Sequence, residues 1–241
     1  MGLRAPVASV ACAVLLIAVP ACGPDESGPP PVGSQAHDAE GLEFTADDGT
    51  QLQGLLFGAG AGDQPVIVMA HQRGSNKDSW TDLAVAAAER GFAAFPFDFR
   101  GYGAGGGERD RNLDADLEAA VALMRDRGYP QVFVVGASMG GTAALVVAGA
   151  EDLDGVAALS APARFAGMEV QPDRIDEPVM VVSAADDHPY AEDAAMFDER
   201  IASSLAVTVD GDAHGTGLFA ASPKLERQLL DYFAKIAPPS A

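Results

Sequence analysis

The part of this chain best suited to covalent chemistry is a serine among small residues, Gly136-Ala137-Ser138-Met139-Gly140. A serine hydroxyl is a weak nucleophile until a base within hydrogen-bond reach takes its proton, and a carboxylate behind an imidazole base fixes the tautomer and stabilises the imidazolium. The 4 histidines available as bases are His37, His71, His188 and His214. The 2 cysteines, Cys12 and Cys22, both fall near the amino terminus, so the rest of the chain has no thiol for a disulfide, a metal site or a nucleophile. Nucleophilic catalysis therefore falls to serine. The pentapeptide alone is weak evidence, because G-x-S-x-G arises readily by chance in a chain with 27 glycines.

Its setting adds weight. Val132 to Val135 is a β-branched and aromatic run that reads as a strand, and the Ala/Val-rich stretch Thr142 to Ala150 reads as a helix, which leaves Ser138 at the apex of a sharp turn. Such a turn pushes a non-glycine residue toward backbone angles that cost about 1–3 kcal/mol, and the chain can pass only if its neighbours are small. Gly136 and Gly140 meet that need.

Around this turn the pattern alternates strand and helix. Leu42 to Ala46 and Leu52 to Phe57 read as strands about the hairpin signal Asp47-Asp48-Gly49. Pro65 to Ala70 and Phe92 to Phe97 read as strands, Pro65 to Ala70 as one buried on both faces, with a helix over Asp78 to Arg90 between them. A helix over Asp114 to Arg127 leads to the serine strand. Beyond the serine helix come strands at Val156 to Leu159, Pro178 to Ser183 and Leu205 to Val209, with helices at Ala191 to Ile201 and Pro223 to Ile236. The alternation predicts an α/β fold with a mostly parallel, doubly covered sheet over residues 41–237 and a short tail at 238–241.

The amino terminus reads as a targeting segment. Arg4 precedes an apolar run from Val7 to Val19, too short for a permanent span, and Val19-Pro20-Ala21-Cys22 closes it. That tetrapeptide resembles the bacterial lipobox, which implies a signal peptide over 1–21, cleavage before Cys22, lipidation of that cysteine, and a location on the extracytoplasmic side of the cell membrane. An ordinary secretory signal cleaved near Ala21 is the alternative. Residues 22–40, with Pro29-Pro30-Pro31 amid Gly, Ser, Asp and Glu, have no apolar period and read as a tether with a reach of roughly 23 Å. With 15 Lys plus Arg against 35 Asp plus Glu, the net charge of −20 disfavours nucleic acid as a partner and leaves any anchoring to acyl chains.

From Leu42 to Ile236 the chain resembles the α/β-hydrolases, and within them the dienelactone-hydrolase-like and small esterase proteins. In that superfamily the triad runs serine, acid, histidine; here Ser138 is followed by Asp186 in V-S-A-A-D-D-H-P and by His214 in G-D-A-H-G. The resemblance thus implies Ser138 as nucleophile, His214 as base and Asp186 as acid. Ser183 stands where the family's G-x-x-D has glycine, which keeps the adjacent Asp187 open as the acid. One oxyanion donor is the N–H of Met139; the second, by the family's H-G-x pattern, is the N–H of Arg73 in His71-Gln72-Arg73, where Gln72 replaces glycine. His71 is then structural, and His188 an exposed loop histidine that could touch substrate.

Gly101-Tyr102-Gly103-Ala104-Gly105-Gly106 satisfies G-x-G-x-x-G after a strand, but no helix opens within it, so it is not read as a dinucleotide site. Asp98-Phe99-Arg100-Gly101-Tyr102-Gly103 matches the D-x-R-G-x-G of hydrolases, and Asp98 is expected to pair with Arg100. Ala163 to Glu177 is too short for a full helical cap. The expected function is a serine hydrolase of small-molecule esters or lactones, with no metal or organic cofactor. A peptidase or thioesterase on the same triad, or a catalytically silent binding module, are the alternatives.

Overall fold

A computed structural model of the chain describes residues 1–2, 39–60 and 64–237. Cys22, the expected signal peptide beyond residue 2, the expected tether up to residue 38 with His37, and the tail 238–241 lie outside the described residues. All elements below belong to the unit Val32–Ala241.

An eight-stranded sheet runs in the order β1 (Glu40–Thr45), β2 (Gln51–Leu56), β4 (Ala93–Asp98), β3 (Val66–Ala70), β5 (Val132–Ala137), β6 (Gly155–Leu159), β9 (Val179–Ala184), β10 (Ser204–Val209). β1 pairs with β2 and β2 with β4 in antiparallel sense, and every other neighbour is parallel. The near-continuous apolar strands occupy the middle: all residues of β3, β4, β5, β6 and β9 are buried.

Side-chain alternation divides the core into two layers. Val66, Val68, Ala70, Val132 and Val134 point to one face, where α2 (Leu113–Asp126), α3 (Met139–Ala148) and α4 (Tyr190–Arg200) pack; Ile67, Met69, Phe133 and Val135 point to the other, covered by α1 (Thr81–Glu89) and α6 (Leu225–Ile236). In α6 the apolar stripe Leu225, Leu229, Leu230 and Phe233 is fully buried while Glu226, Arg227 and Asp231 stay outward. Burial of each of those large side chains contributes about 1.5–3 kcal/mol, which outweighs the helix's weak intrinsic preference.

Some short elements escape the sequence pattern. A two-stranded hairpin of β7 (Arg164–Phe165) and β8 (Met168–Glu169) turns through Ala166 and Gly167 at φ 51° and 90°, within the stretch Ala163 to Glu177 that is too short for a full helical cap. The five-residue α5 (Gly217–Ala221) precedes α6. Both are too short for periodicity to register. Among the described residues no helix is long and apolar enough to cross a membrane.

The expected Asp98 to Arg100 pair does not form. Asp98, fully buried, accepts from Lys77 N and Lys77 Nζ at 2.8 Å each and from Ala104 N at 2.9 Å. Arg100 instead donates to the buried Asp116 of α2, with Nη2 to Oδ1 at 2.6 Å, and to Asp48 in the β1–β2 turn at 2.6 Å. Each buried charge is satisfied by several donors or acceptors at once, which one mutual contact would not supply. The glycine-rich loop that follows opens no helix before Leu113.

Candidate active site

Ser138 joins β5 to α3 at φ 48° and ψ −115°, the strained apex that the sequence implies. Its N–H donates to Leu159 O at 2.8 Å, and its carbonyl accepts from Thr142 N at 2.9 Å. The flanking glycines are required by close backbone approach. A Cβ on Gly136 would run into Gly140 O, and one on Gly140 into Ala70 O. α3 begins at Met139, earlier than the Ala/Val run suggests, because the glycines are taken into its first turn.

His214 sits in the loop between β10 and α5, and its Nδ1 lies 2.9 Å and 3.1 Å from the two carboxylate oxygens of Asp187. His214 is thus paired with Asp187 and not with the expected Asp186. Asp186 is exposed, whereas Asp187 is 8% exposed and faces the imidazole. The cause is local: Ala185 N and Asp186 N continue the ladder past β9 by donating to Val209 O and Gly211 O at 2.8 Å each, and the turn closed by Asp187 N to Ala184 O then swings the next side chain inward. In the G-x-x-D spacing of the resemblance, Ala184 and not Ser183 then takes the place of the glycine. Because an ionised carboxylate only accepts, the proton lies on Nδ1 and leaves Nε2 free to act as a base. Tyr190, at the start of α4, packs on the imidazole with ring centroids 4.5 Å apart.

Met139 N–H opens α3 and Arg73 N–H lies in the loop after β3; neither has a protein acceptor among the described residues. The first N–H groups of a helix have no intrahelical partner, which suits Met139 N to receive a negatively charged oxygen. The Arg73 side chain is occupied, donating from Nε and Nη2 to Asp110 Oδ2 at 3.1 and 2.9 Å. His71 is structural: it is fully buried, its Nδ1–H donates to Gln72 O at 2.9 Å, and its Nε2 accepts from Phe99 N at 3.1 Å. Burial pushes its pKa below the ordinary histidine value of 6.5 and keeps it neutral. His188 is exposed and held by Glu192 at 2.8 Å, with a raised pKa caused by that hydrogen bond.

Ser138, His214, Gln72 and Arg73 line one cavity of about 730 Å³. Its other walls are Pro162 to Phe165, Glu169 and Val170 of the β7–β8 hairpin region, and Pro189, Tyr190, Asp193, Met196 and Arg200 on α4 and its approach. Three arginines reach this space, but each is paired with a carboxylate: Arg73 with Asp110, Arg164 with Glu169, Arg200 with Asp173. Among the described residues no group of three or more His, Cys, Asp or Glu could hold a metal ion.

Sequence reasoning passed over two side chains that grip the histidine loop, Gln72 and Ser160. Gln72 Oε1 accepts from Thr216 N at 2.8 Å, and Ser160 Oγ accepts from Gly215 N at 3.0 Å. The replacement of glycine by Gln72 in the H-G-x pattern was the one available signal for the first. The second had none.

A family model described as the alpha/beta hydrolase fold matches residues 65–176, a stretch that holds the loop of Arg73 and the turn of Ser138 but stops before Asp187 and His214. The uncharacterized protein YfhR of Escherichia coli O157:H7 is 35% identical over 142 residues, 56% of this chain and 50% of that protein. The chain thus spans about half the length of the curated relatives it matches. Among solved structures, the esterase Pf2001 of Pyrococcus furiosus superposes with a TM-score of 0.70 at 18% identity, covering 82% of this chain and 92% of that one. The enol-lactonase from Burkholderia xenovorans LB400 gives a TM-score of 0.69 at 16% identity, covering 80% of this chain and all of that one (100%).

Proposed function

With the α/β-hydrolase fold as the frame, we propose that this protein is a serine hydrolase that cleaves carboxylic esters or lactones of small molecules through an acyl-enzyme on Ser138. The observation that carries this reading is the pairing of His214 Nδ1 with the buried Asp187, where His214 lines the same cavity as a serine held at φ 48°. Backbone strain of that size persists only where the surroundings over-determine it, and it recurs at reactive residues.

In the proposed reaction Ser138 Oγ attacks the substrate carbonyl while His214 Nε2 takes the hydroxyl proton, and Asp187 stabilises the imidazolium. The carbonyl oxygen, now negative, accepts from Met139 N–H and Arg73 N–H, each donor contributing about 2.7–4 kcal/mol to the barrier reduction. The imidazolium returns its proton to the leaving alkoxide as the C–O bond breaks. Water then attacks the acyl-enzyme with the same base, releasing the carboxylic acid and restoring Ser138. The triad and backbone donors carry every step without a metal or cofactor.

Several features support small substrates. The cavity is open beside a hairpin in place of a full cap, and its Phe165, Val170, Tyr190 and Met196 offer apolar contact to an acyl or alcohol group. The neighbours named an esterase and an enol-lactonase are consistent with that class. Tethering to a membrane through a lipidated Cys22 is the companion proposal and rests on Val19-Pro20-Ala21-Cys22.

The test is labelling with a fluorophosphonate probe together with turnover of p-nitrophenyl acetate. The wild-type chain should label and turn over, and Ser138→Ala should lose the label and several orders of magnitude in rate. Wild-type turnover in Ser138→Ala, or no labelling and no turnover in the wild type, would leave a binding module on this fold as the better reading.

A further inference from the structure

The two backbone N–H groups that follow His214 are each taken by a side chain from the end of a different strand. Gly215 N donates to Ser160 Oγ at 3.0 Å; Thr216 N donates to Gln72 Oε1 at 2.8 Å, and the Thr216 hydroxyl donates to the same oxygen at 3.2 Å. Ser160 directly follows β6, and Gln72 follows β3 after His71.

Both acceptors are themselves fixed. Ser160 is fully buried at φ 49°, and its own N–H donates to Val182 O at 2.7 Å, so main chain and hydroxyl are both committed. A serine held in the left-handed region with no exposure is a second strained residue beside Ser138, and strain of this kind persists where the surroundings enforce it. Gln72 is anchored at its carbonyl by His71 Nδ1–H at 2.9 Å. Gly215 sits at φ 59°, and a Cβ there would push Gln72 Oε1 out of its place.

We propose that Gln72 and Ser160 are positioning residues that hold the His214 loop in register with Ser138; the proposal rests on the reading of His214 as the base of a serine hydrolase. Asp187 fixes the imidazole's tautomer and the direction of its ring, while Ser160 and Gln72 fix the backbone that carries it. Gln72 does more than Ser160. It precedes Arg73, so its side chain binds the loop bearing the second oxyanion donor to the loop bearing the base. The groups that remove the serine proton and receive the carbonyl charge then move as one body. Release of either grip lets the imidazole drift, and a misplacement of about 1 Å can cost roughly 10²-fold in rate.

Ser160→Ala and Gln72→Leu remove one acceptor each, and Gln72→Glu keeps an oxygen where Thr216 N–H needs it. In full-length protein, with folding checked by cooperative thermal unfolding, kcat for p-nitrophenyl acetate should fall roughly 10²-fold in Ser160→Ala and Gln72→Leu. Ser160 does not line the cavity, so KM should stay at the wild-type value in Ser160→Ala. Gln72→Glu should recover most of the rate above neutral pH, a rescue that lost packing alone would not give. The Nδ1–H proton of His214, read by NMR, should be sharp in wild type and broadened in the two acceptor-free variants. Folded Ser160→Ala and Gln72→Leu with wild-type kcat overturn the proposal, as does Gln72→Glu as slow as Gln72→Leu. If Ser160→Ala fails to fold, the Gln72 pair decides. A wild-type chain that neither labels nor turns over ester refutes the hydrolase reading instead; the N–H signal then tests the grip by itself, and an unchanged signal in both variants overturns it.

Discussion

Asp187→Asn should be the most informative single substitution in this protein, with Asp186→Asn as its partner control. The carboxylate of Asp187 meets His214 Nδ1 through both oxygens, at 2.9 and 3.1 Å, and is 8% exposed, so water replaces little of its interaction. Asparagine has nearly the same volume, but its carboxamide can present N–H to Nδ1, which turns Nδ1 into an acceptor and moves the proton to Nε2. The imidazole then has no lone pair for the Ser138 proton. Loss of the correct tautomer in a triad of this kind costs about 10⁴ in kcat, equivalent to about 5.5 kcal/mol of transition-state stabilisation. Asp186 is exposed, and among the described residues its side chain makes no hydrogen bond to His214 or Ser138. Its replacement is an ordinary surface change, within about 0.5 kcal/mol or roughly a factor of two in rate. The assay is kcat/KM for p-nitrophenyl acetate, with active sites counted by probe labelling and thermal unfolding run alongside. A severe Asp186→Asn with a mild Asp187→Asn would refute the assignment of the acid and the turn geometry behind it.

Other perturbations test the scaffold and the location. Arg100→Met leaves the fully buried Asp116 without its partner and should cost about 3–5 kcal/mol in urea unfolding, much of it regained in Arg100→Met/Asp116→Leu; a loss under about 1 kcal/mol would show that the pair is not held as described. Burial depresses the pKa of His71, so the unfolded chain takes up a proton as pH falls through 6.5 while the folded one does not, and stability present above that pH is lost below it. The melting temperature of wild type should therefore drop more steeply on acidification than that of His71→Gln, and parallel curves would contradict a buried neutral imidazole. Cys22→Ser should shift the protein from the membrane fraction to the soluble one or stall its processing, and an unchanged distribution would dispose of the lipid anchor.

The sequence determined whatever depends on period and on one residue's neighbours. Buried strands such as Pro65 to Ala70 show their burial as unbroken apolar runs, and the serine turn shows itself because only glycine tolerates the contacts at 136 and 140. The strand and helix alternation, and with it the parallel sheet, follows from the same local signals. Tertiary structure alone decided which side chains meet. Asp186 and Asp187 are the same residue type one position apart, and successive side chains leave a chain in different directions; hydrogen bonds to Val209 and Gly211, from another strand and its loop, chose between them. Asp98 and Arg100 found different partners for a similar reason: Lys77, Asp116 and Asp48 are brought to them by the 3-10 turn Lys77–Trp80, by α2 and by the β1–β2 turn. Gln72 and Ser160 reach the histidine loop across 144 and 55 residues of sequence, a distance over which no periodicity carries information. They meet because parallel strands end on one edge of the sheet, and that edge is where the loops carrying the chemistry converge.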